Sequence, residues 1–124
     1  MTLRTALADD EPLARQRLAR LLREAGCEVT AEFENGSDLL AWMKGGPEVD
    51  ALFLDIQMPG VSGLEVMAEL EEGHACPPVV FVTAFHEHAV RAFETAAVDY
   101  IVKPLSAERL AKALQRLQGG AVPR

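Results

Sequence analysis

Two short runs limit the fold more than anything else in the chain: "ALFL" at 51–54 and "VVFV" at 79–82. Each is unbroken apolar sequence, too short for a buried helix and rich in branched and aromatic residues. Such runs suit central parallel strands covered on both faces. Each also ends on a polar side chain, Asp55 after the first and Thr83 after the second. Successive parallel strands need crossover connections, usually helices, so amphipathic segments should separate them.

They do. Leu3–Ala8 reads as a first strand. From Pro12, residues Ala14, Leu18, Leu21, Leu22 and Ala25 fall on one helical face, with Pro12 in the first turn and Gly26 as the stop. Residues 28–33 alternate, with Val29, Ala31 and Phe33 on one side, as a strand covered on one face should. "SDLLAWMKGG" predicts a short helix with Leu39, Leu40 and Met43 inward and Trp42 as a further packing residue. Ser62 and Glu65 form a capping box opening a helix through about Leu70. A helix is expected over about 86–97, a strand over 100–102, and a final helix capped by Ser106 that buries Leu110, Leu114 and Leu117. Five strands alternating with five helices predict one α/β domain, a parallel sheet wound on both faces.

Composition narrows the function classes. At 124 residues with 49% apolar and 25% charged content, the chain can bury one core and is not wholly disordered. No apolar run approaches the roughly 18–20 residues that span a bilayer. "MTLRTALADDEP" lacks the apolar stretch of a signal peptide, so a cytoplasmic protein is expected. Cys27 and Cys76 form no CxxC and read as small buried hydrophobes. A net charge of −7 argues against a nucleic-acid surface on this chain and leaves a protein partner or a cation.

In such a sheet, function gathers at the carboxyl ends of the strands. Those ends carry Asp9-Asp10-Glu11, Asp55, Thr83 and Lys103-Pro104. The first run could equally cap the helix starting at Pro12, where negative charge is favourable. Carboxylates converging on one rim repel, however, unless a cation is present. With no histidine or cysteine among them, zinc is disfavoured and Mg²⁺ fits, because it takes one or two carboxylates and keeps an open side for phosphate oxygens. Lys103 adds a compact positive charge and Thr83 a neutral hydroxyl. Acids, Mg²⁺, a lysine and a hydroxyl around one carboxylate meet the needs of phosphoryl transfer, with Asp55 as the nucleophile that becomes an acyl phosphate.

In order and spacing, "ADDEP", "FLDIQMPGVSG", "FVTA" and "DYIVKP" resemble the motifs of receiver (CheY-like) domains of bacterial two-component response regulators. "DEPLARQRL" and "FVTAFHEHAVRAFETAAVDYIVKP" are similar to receivers of the LytTR (LytR/AlgR-type) group. The resemblance covers about 3–118. It implies a flavodoxin-like strand order 2-1-3-4-5, a receiver domain over 1–118, and in 119–124 the start of a linker to a DNA-binding domain. It implies that Asp9 and Asp10 hold Mg²⁺, Asp10 more directly, with Asp55 sharing the metal and the Gln57 backbone carbonyl completing the protein ligands. Asp55 would accept phosphate from a sensor histidine kinase, and Thr83 and Lys103 would contact the phosphoryl oxygens. A cis Lys103–Pro104 bond and an aromatic switch at Tyr100 are also implied. Phosphorylation would remodel the face formed by the 86–97 helix, the last strand and the last helix. The output would be a homodimer that brings DNA-binding domains together. His86 and His88 stand where Asp and Tyr are commoner; two apart, they cannot share a helix face and read as surface residues.

Three other classes fit less well. A Mg²⁺-dependent aspartyl-phosphate phosphohydrolase needs a second acid where this chain has Gln57. A pseudo-receiver interaction module would normally have lost an acid or the lysine. A nucleotide binder would need a glycine-rich loop after the first strand. The chain is therefore expected to accept phosphate on its own aspartate rather than to turn over a substrate.

Overall fold

The computed structural model describes residues 2–84 and 96–119. Five strands, β1 (Arg4–Ala8), β2 (Glu28–Phe33), β3 (Ala51–Leu54), β4 (Val79–Thr83) and β5 (Asp99–Val102), form one parallel sheet in the order β2-β1-β3-β4-β5. Among the described residues four helices accompany it: α1 (Pro12–Glu24), α2 (Gly36–Met43), α3 (Gly63–Glu72) and α4 (Ala107–Gln118). The helix expected over about 86–97, with His86 and His88, and the tail 120–124 lie largely or wholly outside the described residues. The order is the flavodoxin-like one that the resemblance implies.

The two apolar runs explain the layering. Successive residues of β3 and β4 point to opposite faces. Leu52, Leu54, Val79 and Phe81 join α2 and α3 on one side. Ala51, Phe53, Val80 and Val82 join α1 and α4 on the other. Every residue of both strands is therefore buried. β2 alternates exposed and half-buried positions, as an edge strand covered on one face must. Phe33 packs on Trp42 there, ring centroids 5.4 Å apart.

Local signals hold at most element ends. Pro12 opens α1, and the Ser62–Glu65 box opens α3 with both reciprocal bonds formed. Ser106 caps α4 by accepting from the Arg109 N–H. α2 begins one residue before its expected serine, capped by Asn35. One expectation for α1 fails. Ala25 is exposed at the helix end, whereas Ala19 is buried. α4 packs beside α1, so the covered arc is wider than a stripe facing the sheet alone. Cys27 is buried and Cys76 half-buried, both as free thiols, and burial together with Glu71 pushes Cys76 up to about 11. Neither is poised as a nucleophile. No helix of the described residues is long and apolar enough to cross a membrane.

An ion cluster on one buried carboxylate ties β5 to α4. Asp99, its side chain 4% exposed, accepts from Arg109 through both oxygens and pairs with Arg116 at 2.7 Å. Burial works against its charge, but the Arg109 hydrogen bond, the Tyr100 N–H and both arginine charges outweigh it and hold its pKa below the ordinary value. A depressed carboxylate stabilises the fold above its unfolded pKa and loses that contribution as the pH falls through its folded one. Asp99→Asn should cost about 1.5–3 kcal/mol in urea denaturation at neutral pH. The deficit should shrink in acid below the ordinary 3.8. A deficit that stays constant with pH would refute the assignment.

Candidate phosphoacceptor site

Strand register assembles the site. Ala8 of β1 lies opposite Leu54 of β3, so Asp9 and Asp55 are the first residues past two adjacent strand ends. The Asp55 N–H donates to the Ala8 carbonyl, which fixes the two backbones together. One strand further, Thr83 ends β4 opposite Val102 of β5, and the Lys103 N–H donates to the Thr83 carbonyl. The Lys103–Pro104 bond is cis. The Lys103 ammonium reaches Asp9 Oδ2 at 2.8 Å, Asp55 Oδ2 at 3.1 Å and Glu11 Oε1 at 3.2 Å.

The loop after β3 is shaped by two glycines. Gly60 sits at φ +79°, in the left-handed region that favours glycine. Gly63, the first residue of α3, donates its N–H to the Ile56 carbonyl and lies so close that a Cβ there would meet the Asp55 carbonyl oxygen at 2.3 Å. The Gln57 N–H donates to Asp55 Oδ1 at 3.2 Å. Asp10, Glu11, Asp55, Gln57 and Ala84 line a cleft of about 330 Å³ beside the carboxylate.

The electrostatics favour a cation. Asp9 and Asp55 are buried, 2% and 6% exposed. Burial raises the Asp55 pKa; the Lys103 charge opposes this and the Asp9 charge adds to it. The Thr83 hydroxyl lies near enough to favour the ionised form slightly, but its geometry makes no formed bond: Thr83 Oγ1 is buried with no hydrogen-bond partner among the described residues. Burial disfavours the Lys103 ammonium too, yet its contacts with Asp9 and Asp55 hold its pKa above the ordinary lysine value. Carboxylate oxygens of Asp9, Glu11 and Asp55 all lie within 4.8 Å of one another. One ammonium cannot balance three such charges. This all-oxygen donor set suits a hard divalent ion, as an acidic Mg²⁺ pocket requires.

The structure therefore brings together Asp9, Asp55, Thr83 and Lys103, as the sequence leads one to expect. It differs over the third acid. Asp10 is exposed at the edge of the cleft, and Glu11 takes its place in the cluster. The chain bends at Asp10, the Glu11 N–H donates to Asp9 Oδ1, and the Glu11 carboxylate joins the cluster. Glu11 itself has an extended backbone (φ −90°, ψ 116°). Tyr100 is half-buried against the α2–α3 side of the core.

Known proteins resemble this chain in sequence and fold. The transcriptional regulatory protein BtsR of Salmonella typhi is 45% identical over 118 residues, which are 94% of this chain and 48% of that protein. The chain thus spans about half the length of the curated relatives it matches. The response regulatory domain of protein mrkE from Klebsiella pneumoniae has a TM-score of 0.86 at 36% identity, over 95% of this chain and 97% of that one. Response regulator protein TrrA from Thermotoga maritima, solved in complex with Mg²⁺-BeF, has a TM-score of 0.82 at 32% identity, over 94% of this chain and 99% of that one. Residues 5–115 match the response regulator receiver domain, and the chain belongs to that family.

Proposed function

We propose that this chain accepts a phosphoryl group on Asp55 from a sensor histidine kinase and carries it as a signal. The observation that supports this most strongly is the buried Thr83 hydroxyl, which has no partner among the described residues, beside a buried carboxylate that already faces an ammonium. A buried donor without a partner is costly, and a phosphoryl oxygen on Asp55 would supply one. In the transfer an Asp55 oxygen forms the new bond to phosphorus, the donor's nitrogen–phosphorus bond breaks, and its electron pair stays with the imidazole. Lys103 and Thr83 stabilise the phosphoryl oxygens, and positioning does most of the work.

Mg²⁺ fits the acids present and would neutralise charge on those oxygens. Asp55 and Asp9 would hold it, with Asp10 and the Gln57 carbonyl at the cleft edge completing the set. At a Mg²⁺ concentration a hundredfold above its Kd, the fold should gain about 2.7 kcal/mol. No gain in thermal stability on adding Mg²⁺ would count against the site.

The site accepts one phosphoryl group on the protein itself and is not built for steady turnover. The added charge and its three acceptors would draw the Thr83 loop inward and let Tyr100 move, which remodels the face around β5 and α4. Moving such a switch from 1:99 to 99:1 takes about 5.5 kcal/mol, within reach of two or three charge-assisted bonds. The outcome is a homodimer, and DNA is engaged only through a LytTR-type domain of a longer protein, in the cytoplasm. Incubation with acetyl phosphate and Mg²⁺ should give a hydroxylamine-labile phosphate adduct by intact mass, lost in Asp55→Ala. An adduct that survives that substitution would overturn the reading.

A further inference from the structure

We propose that Glu11 is a positioning residue that retains the Lys103 ammonium before phosphorylation and releases it once Asp55 carries the phosphoryl group. The proposal rests on the reading of Asp55 given above. Glu11 is the N-cap of α1, yet its side chain makes no capping bond. Glutamate is not among the residues that cap well, where serine, threonine, aspartate and asparagine lead. Its carboxylate instead crosses to Lys103, 92 residues on, at 3.2 Å.

The backbone presents it there. The Glu11 N–H donates to Asp9 Oδ1 and its carbonyl accepts from the Arg15 N–H, so both peptide groups are held. Asp9 thus does two jobs, one oxygen fixing Glu11 and the other taking the ammonium. Of the three carboxylates on Lys103, those of Asp9 and Asp55 are almost wholly buried, while the Glu11 side chain is 67% exposed. Water can resolvate Glu11 at little cost, so it is the partner that gives way. A phosphoryl group adds about −1.5 to −2 charge a few ångströms off, which repels Glu11 and draws the ammonium to a phosphoryl oxygen.

The pair is exposed on one side, so its effect is modest, roughly two- to fivefold. Glu11→Gln should raise acylation of Lys103 by a neutral amine-labelling reagent by that factor in the unphosphorylated chain, read by peptide mass mapping. With saturating Mg²⁺ it should also speed adduct formation from acetyl phosphate by the same factor. In a Lys103→Met background the second gain should vanish. Unchanged labelling, slower adduct formation, or a gain that persists without the lysine would each overturn the proposal; slower formation would mark Glu11 as a metal ligand. If the wild type formed no adduct, the Asp55 reading would fail, while the labelling result would still decide whether Glu11 holds Lys103.

Discussion

Gly63→Ala should unseat the loop that carries Asp55. The new methyl would stand 2.3 Å from the Asp55 carbonyl oxygen, 3.0 Å from its carbon and 3.1 Å from the Ile56 Cα. All three are backbone atoms, so no side chain can rotate away. Either the start of α3 shifts, breaking the Gly63-to-Ile56 hydrogen bond, or the Asp55 peptide shifts, straining its bond to Ala8. Overpacking a tight site costs about 1–3 kcal/mol and occasionally more, and a clash with backbone belongs at the upper end. Urea denaturation should show a loss of about 3 kcal/mol, with slower adduct formation on Asp55 in the fraction that remains folded. Gly60→Ala is the control. Its backbone is in the left-handed region but a Cβ there meets nothing within 4 Å. It should cost only about 1–2 kcal/mol and leave Asp55 in place. Equal effects at the two glycines would contradict the close-approach argument.

Removing the ammonium should have the second large effect. Lys103→Met leaves Asp9 and Asp55 buried, close together and without the ammonium that pairs with both among the described residues. Breaking a buried pair by deleting one partner costs about 3–5 kcal/mol, and the open cleft beside this one puts it near 3 kcal/mol. The loss should appear at neutral pH in metal-free buffer. Its pH dependence follows from Asp55, whose pKa burial already raises. A carboxylate with a raised folded pKa costs stability once the pH passes that value, and the cost disappears as the pH falls back through the unfolded one. The variant should therefore regain stability in mild acid, and Mg²⁺ should rescue it at neutral pH by supplying the missing charge. A variant as stable as wild type in chelator would show that the three acids do not depend on Lys103.

Much of this was legible in the sequence because the physics is local. Unbroken apolar runs have one comfortable place in an α/β sheet, and the Ser62–Glu65 and Ser106 caps are satisfied by neighbours three residues away. The rim was legible because strand ends in a parallel sheet share one edge. Where reading failed, the deciding contact was distant. Ala19 is buried because α4 packs beside α1, a pairing no helical wheel contains. The contact of Gly63 with the Asp55 backbone depends on how the loop folds back, which no local pattern contains. Glu11 was visible as one acid of three; its reach to Lys103 depends on Asp9 fixing the chain between them.

All of this depends on several carboxylates sharing one cation at the ends of β1 and β3. A calorimetric Mg²⁺ titration of the wild type, Asp9→Asn and Asp55→Asn tests that most directly. One ion per chain is predicted, its affinity falling about tenfold or more with either substitution. Unchanged affinity in Asp55→Asn would place the ion elsewhere and contradict the shared site.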